Sequence, residues 1–407
     1  MNGYSGPRPR TLHKLVTLVS LALACVLITA APASAAKRQV PFGFLGSVVD
    51  PSLALSESDA TIDAQYALMA QNGIESIRTN FYWSEANPAP GVYDWTLTDR
   101  IMLAAGRHGL DVLPIVEFTP LWASSQPGNH GTIQPPADFG TFKTFMSAIV
   151  QRYGPTGSFW LEHPELKKTP IRDWQIWNEP AGDFDWKPVP WYPPYVKLLK
   201  AGYAGIKAVD SGAKVVSGAV VGLNTTTLTP WQELSDLYKA GARKYMDVVA
   251  VNAFTSALHG QPAKAAVDRN LQIYDRVRKV MARHGDAKKP IFNTEVTWTA
   301  ALGKVAKKYL AGFETTPQGQ ANRMTAYFER VAKDTKLRIK RVYWYTWFSG
   351  YTPAKSFNNI PTFQYAGLTA HSAVGKPFTK KPLLTAYAKV AAKLEGCKKS
   401  ANAKVCR

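Results

Sequence analysis

Apolar positions follow two alternating rhythms along the chain. Near-continuous apolar runs cover Pro41–Val48, Ser76–Trp83, Asp111–Phe118, Ile171–Asn178, Lys214–Val221, Asp247–Phe254, Pro290–Val296 and Arg341–Trp347. Short runs without a polar face predict strands buried on both sides, as in a parallel sheet. Between them, apolar residues recur at helical spacing over Asp59–Gln71, Thr98–His108, Asp138–Tyr153, Tyr195–Ala208, Trp231–Ala240, Ala265–His284, Pro317–Ala332 and Leu383–Leu394. Gly73, Gly109, Gly212 and Gly285 follow helical stretches, where glycine ends helices.

Eight strands and eight helices in strict alternation predict an α/β protein built as a single (β/α)8 barrel. The competing arrangement is a doubly wound open sheet. No glycine-rich phosphate loop follows the first strand, which argues against a dinucleotide-binding version of it. The segments after strands are longer and more aromatic than those after helices, as in Thr119–Pro136, Ala181–Pro194 and Ser349–Phe363. In a barrel, these segments build the active face. Prolines stiffen Trp186–Pro194, which is expected to be neither helix nor central strand and to wall one side of that face.

Two of the runs end on a glutamate. The fourth closes as Trp174-Gln175-Ile176-Trp177-Asn178-Glu179-Pro180, and the seventh contains Ile291-Phe292-Asn293-Thr294-Glu295-Val296. A carboxylate at the tip of a buried strand is costly unless it is used. Two such tips in one barrel project into the same mouth, where paired carboxyl groups cleave glycosidic bonds. Glu117, ending the third strand, adds a further carboxylate whose expected role is to bind sugar hydroxyls or to hold an arginine.

These residues resemble glycoside hydrolase clan A, the retaining (β/α)8 glycosidases that include families 5 and 39. The resemblance covers essentially the whole chain after the leader, though few positions carry it sharply. It implies that Glu179 is the acid/base and Glu295 the nucleophile. It also implies that Asn178 bonds the sugar 2-hydroxyl and that Arg78, in the second strand, keeps the nucleophile ionised. A tryptophan ending the eighth strand would floor the sugar site. Trp344 and Trp347 are the candidates, and strand alternation lets only one of them face inward, with Trp344 preferred. Trp83, Trp122, Trp186 and Trp191 are candidates to stack on flanking sugars. One departure stands out: related families place a His and a Tyr at the end of the sixth strand, the Tyr bonding the nucleophile. This chain reads Val251-Asn252-Ala253-Phe254, so Asn252 or another donor has to substitute.

The resemblance therefore implies a retaining β-glycoside hydrolase without a cofactor. The long aromatic loops favour endo action on a polysaccharide. The alternative is a catalytically weak barrel that binds carbohydrate at the cell wall.

Charge and cysteines bear on where this chemistry would take place. Residues 1–36 read as a secretory signal, with Arg8, Arg10 and Lys14 before an apolar run from Leu15 to Ile28 and a small-residue cleavage region ending Ala33-Ser34-Ala35. Cys25 lies inside that run in a poor context for lipidation. Residues 37–395 are expected to form the catalytic domain, and 396–407 a basic tail closed by a Cys397–Cys406 disulfide. The net charge is +20, and Lys376–Arg407 carries nine basic residues against Glu395. This excess predicts adhesion to polyanions, a wall polymer above all. No motif points to specific nucleic-acid recognition, no Cys/His grouping has metal-ligand spacing, and no transmembrane segment is expected beyond the leader.

Overall fold

The structure is a computed structural model that describes Gly3, Gly6 and residues 37–221, 228–255, 260–350 and 361–397. The chain falls into two compact units, Met1–Ala35 and Ala36–Arg407. Nearly all of the first unit, the expected leader, lies outside the described residues, as do Cys406 and most of the Ser349–Phe363 loop. The pairing expected with Cys397 therefore rests on a residue outside the description.

All eight predicted strands are present, shorter than the apolar runs that announced them. They are β1 (Leu45–Val48), β2 (Ser76–Tyr82), β3 (Asp111–Glu117), β4 (Asp173–Ile176), β5 (in two pieces, Lys214–Val216 and Val220–Val221), β6 (Val249–Asn252), β7 (Ile291–Val296) and β8 (Ile339–Trp344). The strand pairings are parallel, and β1 lies between β2 and β8. The broken β5 completes the ring. Its first piece pairs with β4, its second with β6, and Val216 bridges to Val248. At the break, a Cβ on Gly218 would come within 2.8 Å of Pro180 Cδ and 2.9 Å of the Tyr195 hydroxyl. Glycine thus lets the chain pass beneath the Asn178-Glu179-Pro180 turn.

Eight helices return the chain between strands: α1 (Asp59–Gln71), α2 (Thr96–His108), α3 (Phe139–Tyr153), α4 (Tyr192–Val209), α5 (Pro230–Lys239), α6 (Ala263–Arg283), α7 (Pro317–Lys333) and α8 (Pro382–Glu395). Ser58 and Thr316 cap α1 and α7 by accepting from Thr61 N at 3.2 Å and Gly319 N at 3.0 Å. The stiff segment needs one correction. Tyr192-Pro193-Pro194 form the first turn of α4, because proline is tolerated where a helix has no N–H partner to lose. No helix among the described residues is long and apolar enough to cross a membrane.

The interior is packed rather than hollow. Leu113, Val216, Val248, Ala250, Phe292 and Tyr343 belong to one buried cluster inside the ring, and a larger cluster joins strands to helices. At the end opposite the strand tips, Arg341 bonds Asp173 at 2.8 Å and approaches Asp111 at 3.5 Å. Charged groups at that end hold the barrel together and leave the tips for chemistry.

Candidate active site

Three residues on one face of β2, spaced two apart, begin the site: Arg78, Asn80 and Tyr82. Arg78 is fully buried and spends its guanidinium on three neighbours. Nε donates to Gln175 Oε1 at 2.8 Å, Nη1 to Glu295 Oε1 at 2.7 Å and Nη2 to Asn178 Oδ1 at 2.8 Å. One cation thus ties β4 to β7 and brings the expected acid/base segment and nucleophile together. The planar fork of arginine makes three such bonds where lysine has one point charge.

The backbone at these tips is unusual. Phe118, Trp177 and Glu179 have φ of 66°, 66° and 29°, left-handed values that non-glycine residues rarely adopt. They follow β3 and β4 directly, where strain of this kind gathers at functional sites. Trp177 is pinned from both sides, its N–H donating to Val116 O at 2.9 Å and its indole N–H to Asp185 O at 2.9 Å.

Glu179 and Glu295 are both buried, and their surroundings differ. Burial pushes Glu179 well above the usual carboxylate range, and the charge of Glu295 pushes it further. The Asn252 amide, donating to Glu179 Oε1 at 2.6 Å, opposes this only in part. Burial also raises Glu295, but the charge and hydrogen bond of Arg78 pull it back. Both carboxyl groups are raised, Glu179 well above its ordinary value and Glu295 with Arg78 pulling against the rise.

Asn252 thus answers the question left by the sixth strand. It serves Glu179 directly, and its Oδ1 accepts from Thr294 Oγ1 at 2.6 Å. Phe254 is buried against Phe313, Tyr345 and Phe363 and offers no donor.

Two more buried acids stand beside the pair. Glu117 accepts from Asn80 Nδ2 through Oε1 and from Asn178 N through Oε2 at 3.2 Å, so it holds neighbours of Arg78 rather than Arg78 itself. Burial raises it from 4.5 to about 7, against the pull of Asn80 and Arg78. Asp185, which the sequence did not single out, is driven well above its ordinary value by burial and by the charge of Glu117.

A group raised on folding stabilises fully below its unfolded value and loses that contribution as pH rises through the folded one. For Glu117 the window runs from 4.5 to about 7. Glu117→Gln is therefore expected to flatten the pH dependence of stability across that window, by on the order of 2–3 kcal/mol between its ends. Melting temperatures of both proteins from pH 4 to 8 check this, and parallel curves would refute it.

The tryptophan expectations need revision. Trp344 and Trp347 are both fully buried, with indole N–H groups donating to Ala366 O and Gln65 Oε1, each at 3.1 Å. Neither offers a face to a sugar. The half-buried Tyr345 between them stands at the end of β8 instead. Trp83 and Trp186 are core residues, whereas Trp122 and Trp191 are half-buried on post-strand loops. Trp122 packs edge-on against Trp83 and donates to Asn87 O at 2.8 Å, so it is held in place while partly open.

Comparisons with known proteins agree with this architecture. A family model described as beta-galactosidase matches residues 56–123, from the start of α1 past the end of β3. Among solved structures, a family 39 glycoside hydrolase from Bacteroides cellulosilyticus WH2 superposes with a TM-score of 0.60 at 20% identity, covering 88% of this chain and 64% of that one. A glucosidase from Croceicoccus marinus gives 0.61 at 13% identity, covering 89% and 70%. An exo-beta-1,4-mannosidase from Opitutaceae bacterium strain TAV5 gives 0.58 at 16%, covering 89% and 62%. The chain thus spans under two thirds of the length of the first and last of these. No curated protein sequence matches it. The fold it shares with them is a single (β/α)8 barrel, as the strand pattern led one to expect.

Proposed function

We propose that the chain is a retaining β-glycoside hydrolase acting on a poly- or oligosaccharide. The single observation that carries this reading is the split pair, with Glu295 held by Arg78 at 2.7 Å while the charge of Glu295 helps keep Glu179 protonated. In the first step Glu179 gives its proton to the glycosidic oxygen while a Glu295 oxygen bonds the anomeric carbon and the leaving sugar departs. In the second, the Glu179 carboxylate takes a proton from water, whose oxygen attacks the same carbon and releases Glu295. Two inversions restore the configuration.

Incubation with activated 2-fluoro sugars of the gluco, xylo, manno and galacto series, followed by peptide mass spectrometry, tests the assignment. A label on Glu295 is expected. A label on another residue sinks the assignment, and none on any member favours the carbohydrate-binding barrel or an endo enzyme that needs several occupied subsites. Turnover should also follow a bell in pH. The acid limb falls as Glu295 gains a proton, and the alkaline limb falls as Glu179 loses the one it donates.

Export fits this activity on external glycans, through the signal at residues 1–36 and the Cys397–Cys406 pair. Long post-strand loops favour an open cleft and endo action.

A cationic flank favours an anionic polymer at the cell wall as a second partner. Between Asp334 and Glu395 the chain has no Asp or Glu and ten Lys or Arg. Within this stretch Lys381 donates to Tyr365 O at 3.2 Å and is lowered to about 8 by burial and by the charge of Lys304, whose Nζ lies 5.0 Å from the Tyr365 ring centre. Retention on a teichoic-acid-bearing wall preparation should fall steeply with salt. Equal retention on DNA would reduce the partner to polyanions in general.

A further inference from the structure

Asn178 is held at three of its polar atoms. Its backbone N–H donates to Glu117 Oε2 at 3.2 Å, its Oδ1 accepts from Arg78 at 2.8 Å, and its Nδ2 donates to Asp185 Oδ2 at 3.0 Å. Arg78 fixes which side of the amide is oxygen, and Asp185 fixes the nitrogen side. The amide is planar, so one Nδ2 hydrogen directed at Asp185 sets the direction of the other. Asn178 itself is half-buried beside Glu179, so that second hydrogen borders the site.

Asp185 comes from the loop between β4 and α4 rather than from a strand tip, yet it is only 6% exposed. Its own backbone is anchored at both ends. Its carbonyl accepts from the Trp177 indole at 2.9 Å, and its N–H donates to Gly182 O at 3.2 Å. A loop carboxyl buried so thoroughly and spent on one amide has a cost that packing does not repay.

The geometry points to Asp185 as a positioning residue that aims the remaining Nδ2 hydrogen of Asn178 at the substrate hydroxyl next to the anomeric carbon. This rests on the glycosidase reading. Asp185 touches neither substrate nor reacting atoms. Its contribution reaches the reaction only through Asn178, and a small error in aim is enough to weaken a bond that tightens in the transition state.

The test compares two substrates in each protein: the 4-nitrophenyl β-glycoside that the wild type turns over fastest, and its 2-deoxy counterpart. In Asp185→Ala, kcat/KM for the hydroxylated substrate is expected to fall about 10- to 100-fold. For the 2-deoxy substrate it should change less than about threefold, because the misaimed bond is absent from that reaction. Asp185→Asn, whose carbonyl can still accept from Asn178, should restore most of the loss. If Asp185→Ala does not fold, Asp185→Ser gives the same comparison with a smaller void. Equal loss on both substrates, or no loss on either, overturns the proposal. A wild type that hydrolyses neither substrate overturns the glycosidase reading first and the role of Asp185 with it, a result plainly distinct from loss in the variant alone.

Discussion

Glu295→Ala is expected to lower turnover by roughly 10^5-fold, the scale seen when a nucleophile is removed from an otherwise intact site. The loss follows from geometry. Glu295 is the only carboxylate paired with Arg78 among the described residues, and no other group has been placed to form the glycosyl-enzyme. Azide separates the two glutamates. In Glu295→Ala, azide entering the vacated space attacks the anomeric carbon of an activated substrate from the nucleophile's side, so the glycosyl azide is inverted. In Glu179→Ala, Glu295 still forms the covalent intermediate, azide attacks from the opposite side, and the product is retained. Exchange of the two outcomes between the variants would reverse the assignment, and near-normal hydrolysis by Glu295→Ala would end it. Because the alanine leaves the buried Arg78 without its counter-charge, some loss of stability is expected, on the order of 3 kcal/mol. Glu295→Gln keeps an acceptor for Arg78 and should be equally inactive while melting closer to wild type.

Some of this site could be read directly from sequence, for a physical reason. Parallel strands are buried on both faces, so their apolar runs stood out, and a charge at the end of such a run had to be used. That brought Glu179, Glu295 and Glu117 into view, while Arg78, inside the second run, was picked out through the family resemblance. Strand ends were less visible. Trp83 continues an apolar run but opens a short helix, and β5 breaks at Ser217-Gly218-Ala219, inside the single run read as Lys214–Val221. At β8 the alternation runs opposite to the expectation: Tyr343 lies in the inner cluster, whereas Val342 and Trp344 pack outward against the helices. The half-buried Tyr345, two residues on from Tyr343, therefore packs against the inner cluster, and neither tryptophan does. Asp185 was hidden for a different reason. It sits in an aperiodic loop, and only the return of that loop onto Trp177 and Asn178 gives it a role. Asn252 was one candidate for the substitute donor, but which carboxyl it serves depended on the geometry across the barrel: it donates to Glu179, and its hydrogen bonding lowers Glu295 as well.

Arg78→Met should produce the second large effect, and its pH dependence separates the two roles of this arginine. The variant leaves Gln175 Oε1, Glu295 Oε1 and Asn178 Oδ1 without their donor in a buried site. Breaking such a pair typically costs about 3–5 kcal/mol. Turnover should fall about 10^3-fold near neutral pH, since Glu295 loses its charge partner and Asn178 its anchor. Arg78 lowers Glu295 by charge and by hydrogen bonding, so without it only the hydrogen bond of Asn252 still opposes burial and Glu295 rises further. The acid limb of the kcat/KM profile therefore moves to higher pH. Stability follows the same sign: the deficit relative to wild type is smallest below 4.5, where Glu295 is protonated even in the unfolded chain, and grows as pH rises above it. Arg78→Lys distinguishes charge from anchoring. A lysine ammonium near Glu295 keeps the acid limb close to the wild-type position, but it cannot reach Gln175, Glu295 and Asn178 together, so the rate loss should persist. An acid limb that stays in place in Arg78→Met would mean that the ionisation of Glu295 is set by other groups, and the pairing at 2.7 Å would then be a matter of orientation alone.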